Sequence, residues 1–212
     1  LTLPQAKKVS APLGEQIEKG IQIIRRGGVL AYPTDTVYGL GAGAYHEAGV
    51  RRVFEIKKRP LSMAVPLLLA DASQIHEVAA VMPAYAWRLV ERFMPGALTL
   101  VVWRSQIVND VITAGGKTVA IRIPEHPVPL ALIRGSGMPL VGTSANISGS
   151  RPLLTARAVQ DELSGTVDLI IDAIPPPGGI ESTVVDVTGE KALIVRQGEI
   201  SRERLAGVVE LT

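Results

Sequence analysis

Short apolar runs alternate with amphipathic stretches along almost the whole of this 212-residue chain, with no internal repeat and no linker-like segment. This alternation most restricts the fold, because runs of four to seven apolar residues suit buried strands and 3.6-residue periodicity suits helices that cover them. Ile17, Ile21 and Ile24 fall on one helical face over 13–26, and Gly27-Gly28 supplies a stop. A buried strand is predicted at 29–32, closed by Pro33, with Pro33 to Gly41 as a compact polar and glycine-rich run. A helix is predicted through Val50, Val53, Phe54 and Ile56, ending at Lys57-Lys58-Arg59-Pro60. Further on, strands are predicted at 65–69, 97–103, 118–123, 139–141 and 168–171. A hairpin is predicted over 182–187 and 192–196. Helices are predicted at 72–80, 84–93, 127–134, 156–163 and 202–206, with loops at 142–152 and 174–180. The expected architecture is one α/β domain, 1–212, with a twisted mixed β-sheet flanked by helices and a core at about 17–200.

Composition narrows the classes. Hydrophobic residues make up 47%, enough for a substantial core, and charged residues 20% without a long run of one sign. Cysteine is absent, so disulfides, thiolate metal sites and a Cys nucleophile are excluded. No apolar stretch reaches the roughly 20 residues of a membrane span, and the opening LTLPQAKKVSAPLGEQ lacks a signal-peptide pattern, so a cytoplasmic protein without a membrane partner is expected. A net charge of +2 and eight aromatic residues do not announce a nucleic-acid platform.

Three motifs are refused. Gly115-Gly116-Lys117-Thr118 resembles the end of a P-loop, but Val111 stands where that motif needs glycine, and a strand rather than a helix follows. A tight turn is expected there. Gly39, Gly41 and Ala44 match a dinucleotide fingerprint, but Pro33 and polar residues separate them from the strand. Gly142-Thr143-Ser144-Ala145-Asn146 lacks the last glycine of a nucleophile elbow. His46, His76 and His126 are too scattered for metal-ligand spacing, and His126 is expected in a structural turn, so no protein-built metal site is expected.

What remains is a set of polar segments that follow strands or end helices. In open α/β sheets such segments converge at strand ends. They are Thr34-Asp35-Thr36 with Tyr38 and its glycines; Lys57-Lys58-Arg59; Arg122 in an otherwise apolar strand; Thr143 to Gly149; Glu181-Ser182-Thr183; and Arg196. Lysine and arginine at a helix end suit the helix dipole as well as a phosphate. An arginine in an apolar strand needs a carboxylate or phosphate partner. Together they predict an anion-binding cleft for a nucleotide and a small polar co-substrate.

PTDTVYGLG, Lys57-x-Arg59-Pro60, TVAIRIPEHP, TSANISG, STVVD and IVRQGEI occur in an order and spacing that resembles the YrdC-like family of threonylcarbamoyl-AMP synthases, over about 17–200. The resemblance implies a YrdC/RibB-like fold and a nucleotidyltransferase. That enzyme joins L-threonine, bicarbonate or CO2, and ATP into threonylcarbamoyl-adenylate, with release of pyrophosphate. The product serves tRNA modification at an adenosine through downstream threonylcarbamoyl-transfer machinery. It further implies that Thr36, Arg122 and Ser182 hold threonine. Lys57, Arg59, Thr118, Ser144, Asn146 and Arg196 would surround ATP, and Lys57, Arg59 and Arg196 would neutralise charge developing on the phosphates. Mg2+ is expected to be held mainly by the ATP phosphates. One departure stands out: where many relatives carry a histidine after the next strand, the run Leu61 to Ala70 has Leu and Ala. Two other readings remain: a non-catalytic relative that binds double-stranded RNA, tRNA or the ribosome, and a carbamoyltransferase relative working through carbamoyl-adenylate.

Overall fold

The computed structural model describes residues 11–173 and 179–212. The predicted turn at 174–180 therefore lies almost entirely outside the described residues. Ten strands form one mixed sheet: β1 (Val29–Pro33), β2 (Tyr38–Gly43), β3 (Leu67–Leu68), β4 (Ala79–Val81), β5 (Leu98–Arg104), β6 (Thr118–Arg122), β7 (Leu140–Ser144), β8 (Leu169–Ile170), β9 (Thr183–Asp186) and β10 (Leu193–Arg196). Their spatial order is β10-β9-β5-β6-β3-β7-β2-β1-β8, with β4 alongside β5. Parallel pairs (β3 with β6, β5 with β9, β1 with β8) sit among antiparallel ones. The expected mixed sheet flanked by helices is the one observed.

Side chains alternate across the strands, so the sheet has two chemically different faces. On the back, Ala31, Leu40, Val141, Leu67, Ile121, Leu100 and Val185 join the larger apolar cluster. Helices α2 (Glu47–Ile56), α3 (Ile75–Val78), α4 (Ala84–Phe93), α5 (Asp110–Thr113), α7 (Ala156–Leu163) and α8 (Arg202–Ala206) contribute to it. On the front, Leu30, Tyr32, Leu68 and Leu140 pack under α1 (Leu13–Arg25) and α6 (Pro127–Ser136), through Ile21, Ile24, Val128, Leu132 and Ile133. These two helices cover only the β8-β1-β2-β7-β3 half. Among the described residues no helix covers the front of β6, β5, β9 and β10, and Trp103 and Leu193 there are exposed. A cleft opens where the helical cover stops.

Several predicted elements are corrected. The glycine-rich run after Pro33 is not a loop throughout: Tyr38 to Gly43 is β2, paired with β1 and β7. Tyr38 is buried on the back face, where its hydroxyl donates to the Ile171 carbonyl at 3.2 Å. Glycine is weakly strand-forming alone and is tolerated here because another side chain approaches the backbone. A Cβ on Gly41 would lie 2.7 Å from the Tyr32 hydroxyl and closer still to the Val141 carbonyl oxygen. The strand expected at 65–69 is only Leu67–Leu68. The helix expected at 72–80 divides into a 3-10 turn (Ala72–Gln74), α3 and β4. The short helix α5 was not expected, and the loop expected from Gly142 begins only after Ser144, where β7 ends. The tight turn at Gly115 is present, with Ala114 and Gly115 both at positive φ (53° and 75°).

Candidate active site

One cavity of about 390 Å³ lies on the front of the sheet at the edge of the α1–α6 cover. Its floor is made by central strands. Gly39 and Gly142 leave space, Leu68 and Arg122 stand beside each other on β3 and β6, and Thr99 projects from β5. The walls are mostly loops: Thr34, Thr36 and Val37 between β1 and β2, the turn after α2 with Lys57, Arg59 and Met63, the loop up to Pro152 that follows Ser144 at the end of β7, Glu181-Ser182 before β9, and Arg196 at the end of β10. Thus Thr36, Lys57, Arg59, Arg122, Ser144, Asn146, Ser182 and Arg196, spread over most of the chain, line one space.

Arg122 is buried, and each of its nitrogens has a fixed partner. Nε donates to the Gly96 carbonyl (2.9 Å), Nη1 to Thr36 Oγ1 (3.0 Å) and Nη2 to Asp35 Oδ2 (2.6 Å). The carboxylate that an arginine in an apolar strand requires is therefore Asp35, 87 residues away in sequence. Of the five guanidinium N–H groups, two remain for a ligand, which suits bidentate binding of one carboxylate. Asp35 Oδ1 is buried without a partner among the described residues.

The hydroxyls beside it are also assigned. Thr34 Oγ1 donates its only proton to the Val37 carbonyl (2.6 Å), so in the 3.1 Å contact between the two threonines Thr36 must be the donor. Thr36 Oγ1 also accepts from Arg122, which leaves one lone pair for an N–H or O–H of a ligand. Across the floor, Ser182 Oγ and Thr99 Oγ1 share a 2.8 Å hydrogen bond. Thr99 was not among the expected site residues. Its signal was present in the alternation of ALTLVVW, which sets Thr99 opposite the core residues Leu98 and Leu100.

The cations differ from one another. Lys57 is 2% exposed, and its ammonium donates to the carbonyls of Ser144 (2.5 Å) and Asn146 (2.7 Å) and to Asn146 Oδ1 (3.4 Å). All three donors serve the 144–146 loop, so Lys57 supplies positive charge and loop shape rather than a free hydrogen-bonding hand. Burial, then the neighbouring Arg59, pushes its pKa down to about 8. Asn146 braces the same loop, its amide donating to the carbonyls of Ile147 (2.9 Å) and Ser150 (2.8 Å). Arg59 donates to the Met63 and Ala64 carbonyls (3.3 and 2.7 Å), and burial lowers its pKa. Arg196 is more exposed, meeting Glu181 at 3.0 Å and the Ser182 carbonyl at 2.8 Å.

Two residues of the expected segments do not line this cavity. Thr118 faces the front like Arg122 but at the opposite end of β6, four residues or about 13 Å away, and it does not line the cavity. Lys58 is exposed and not part of the cavity lining, at positive φ (51°) in the turn after α2. His126 is an N-cap, its Nδ1 accepting from Val128 N (3.2 Å) at the start of α6. Among the described residues no group of three or more His, Cys, Asp or Glu could hold a metal ion, and the lining carboxylate Glu181 is engaged by Arg196.

Fold and cleft together define an α/β protein with a buried, strand-borne arginine and three further cations around one cavity. Residues 22–198 match the Sua5/YciO/YrdC family model, whose description reads telomere recombination, and the chain belongs to this family. It is 39% identical over 195 residues to a threonylcarbamoyl-AMP synthase of Bacillus subtilis (strain 168), covering 92% of this chain and 56% of that protein. The structure of Pyrococcus abyssi Sua5 complexed with L-threonine superposes with a TM-score of 0.89 at 37% identity, covering 96% of this chain and 61% of that one. Escherichia coli YciO superposes with a TM-score of 0.83 at 28% identity, covering 92% of this chain and 95% of that one. The chain spans little more than half the length of the Bacillus relative.

Proposed function

We propose that this protein is a threonylcarbamoyl-AMP synthase, converting L-threonine, bicarbonate or CO2, and ATP into threonylcarbamoyl-adenylate and pyrophosphate. The observation that carries the reading is the pairing, in one cavity, of a buried guanidinium with two N–H groups left over and three further cations, Lys57, Arg59 and Arg196. The names of the relatives support it, as does the L-threonine complex of the Pyrococcus protein.

In this mechanism the threonine carboxylate takes the two remaining N–H groups of Arg122. Thr36 Oγ1 accepts from the amine or carbamate N–H. The threonine amine adds to CO2, losing a proton, and the resulting carbamate oxygen attacks the α-phosphorus as the bond to the bridging oxygen of pyrophosphate breaks. Charge grows on the phosphate oxygens, and Arg59 and Arg196 stabilise it directly, with Lys57 acting through its field and through the loop carrying Ser144 and Asn146. Positioning does most of the work, and no side-chain base is required. Mg2+ arrives with the ATP phosphates as part of the substrate. Residues 17–200 act as one catalytic unit, the setting is the cytoplasm, and tRNA-modifying transfer machinery consumes the product.

Pyrophosphate release from ATP and bicarbonate, with and without L-threonine and with mass detection of the adenylate, tests the reading. Threonine-dependent release with the threonylcarbamoyl-adenylate mass is expected. Threonine-independent release, or none, overturns it.

A further inference from the structure

Leu68 occupies a position that the reaction chemistry does not account for. Alternation along β3 sends Leu67 and Leu69 into the back core and Leu68 to the front, where it lines the cavity with Pro66 and Met63. It lies beside Arg122 in the parallel register of β3 and β6, and it leans over Gly142 so closely that a Cβ there would meet its Cγ and Cδ1 at 2.6 Å. On the other flank of Arg122, one residue beyond the Leu100–Ile121 pair, stands Thr99, hydrogen-bonded to Ser182. A ligand whose carboxylate rests on Arg122 therefore has an isobutyl wall on one side and two hydroxyls on the other. Such a site suits a side chain with one methyl and one hydroxyl on the same carbon.

We infer that Leu68 is a specificity-determining residue, packing the methyl of the amino-acid substrate while the Thr99–Ser182 pair takes its hydroxyl, so that this protein selects threonine over serine through β3. The inference rests on the synthase reading above. It also gives the apolar character of the Leu61 to Ala70 run a purpose: a polar side chain at Leu68 would offer a hydrogen bond to the substrate, whereas leucine offers only apolar contact.

The test compares kcat/KM for L-threonine, L-serine, L-2-aminobutyrate and L-alanine by pyrophosphate release. A methyl received in an apolar pocket is worth roughly 10- to 200-fold. Wild-type protein is expected to prefer threonine over serine by at least about tenfold, and to prefer 2-aminobutyrate over alanine. Leu68→Ala is expected to cut the threonine-to-serine ratio by about tenfold, chiefly through KM for threonine, while Leu68→Met keeps the ratio within about threefold. Leu68→Val, shorter by one methylene, gives an intermediate ratio and serves if the alanine variant does not fold. A wild-type protein active with threonine but equally active with serine overturns the inference alone, as does an unchanged ratio in the alanine and valine variants. A wild-type protein inert with every amino acid overturns the synthase reading and this inference together.

Discussion

Replacing Asp35 by alanine should expose how much of the cleft depends on one ion pair. The Asp35 and Arg122 side chains are only 12% and 9% exposed, so the guanidinium left behind has little access to water. Breaking a buried pair by removing one partner costs about 3–5 kcal/mol. Arg122 retains its bonds to Gly96 and Thr36, which places the loss near the lower end, at about 3 kcal/mol. For a chain of this size each kcal/mol moves the melting temperature by roughly 2–4 °C, giving a fall of about 6–12 °C. Asp35→Asn keeps an oxygen acceptor for Nη2 and loses only the charge, so its fall should be about half as large. Because the unpaired guanidinium now seeks an anion, L-threonine should raise the melting temperature of Asp35→Ala by more than that of wild type. Differential scanning calorimetry with and without threonine measures all three. A fall below about 2 °C in Asp35→Ala, or equal falls in the two variants, refutes the reasoning.

Other perturbations act on separate parts of the cleft. The Lys57 pKa falls from 10.5 to about 8, so between those values the unfolded chain binds more protons and this residue's contribution to stability rises with pH. Over the same window the cleft loses a charge, so KM for ATP should climb above pH 8 in wild type, with little further change in Lys57→Met. A flat wild-type profile from pH 7 to about 9.5 sinks this account. Gly41→Ala drives a methyl against Tyr32 and the Val141 carbonyl and should cost about 1–3 kcal/mol in urea unfolding. Thr183→Val leaves the backbone N–H groups of Gly198 and Ile200, both 3.0 Å from its hydroxyl, without an acceptor. It should cost about 2–4 kcal/mol and raise KM for ATP by displacing Arg196, and a wild-type KM would contradict that link.

The parts legible in the sequence are those with a strong period or a demanding residue. Helices at Ala156–Leu163 and Arg202–Ala206 have the bounds that periodicity predicts. Arg122 announced a partner because an arginine among valine and isoleucine cannot stand alone. What the sequence concealed is tertiary in origin. β2 is a strand because Tyr32 lies across Gly39 and Gly41, a fact of packing that strand propensity does not encode. Asp35 is a loop residue whose partner is 87 residues away, and only the placing of β6 brings Arg122 to it. Thr118 shares a face with Arg122 but sits about a strand-length along β6 from the cavity lining, a distance that the motif's spacing does not reveal.

The two arginine–carboxylate pairs in the cleft also separate the roles proposed for them. Arg196 and Glu181 are 46% and 41% exposed, and such a surface pair contributes at most about 1 kcal/mol, so an incoming phosphate can take Arg196 at little cost. Arg122 cannot be recruited that way, since leaving Asp35 would strand a buried carboxylate whose second oxygen already lacks a partner among the described residues. A phosphate chain that varies in position during the reaction is therefore better served by Arg196, at the end of the edge strand β10, and by Arg59, in the turn after α2. A small amino acid that must present one nitrogen at a fixed angle is better served by Arg122, held at three nitrogens on a central strand. Arg196→Ala should accordingly raise KM for ATP while leaving threonine-induced thermal stabilisation intact. Loss of the threonine effect in that variant would show that the two substrates share one arginine after all.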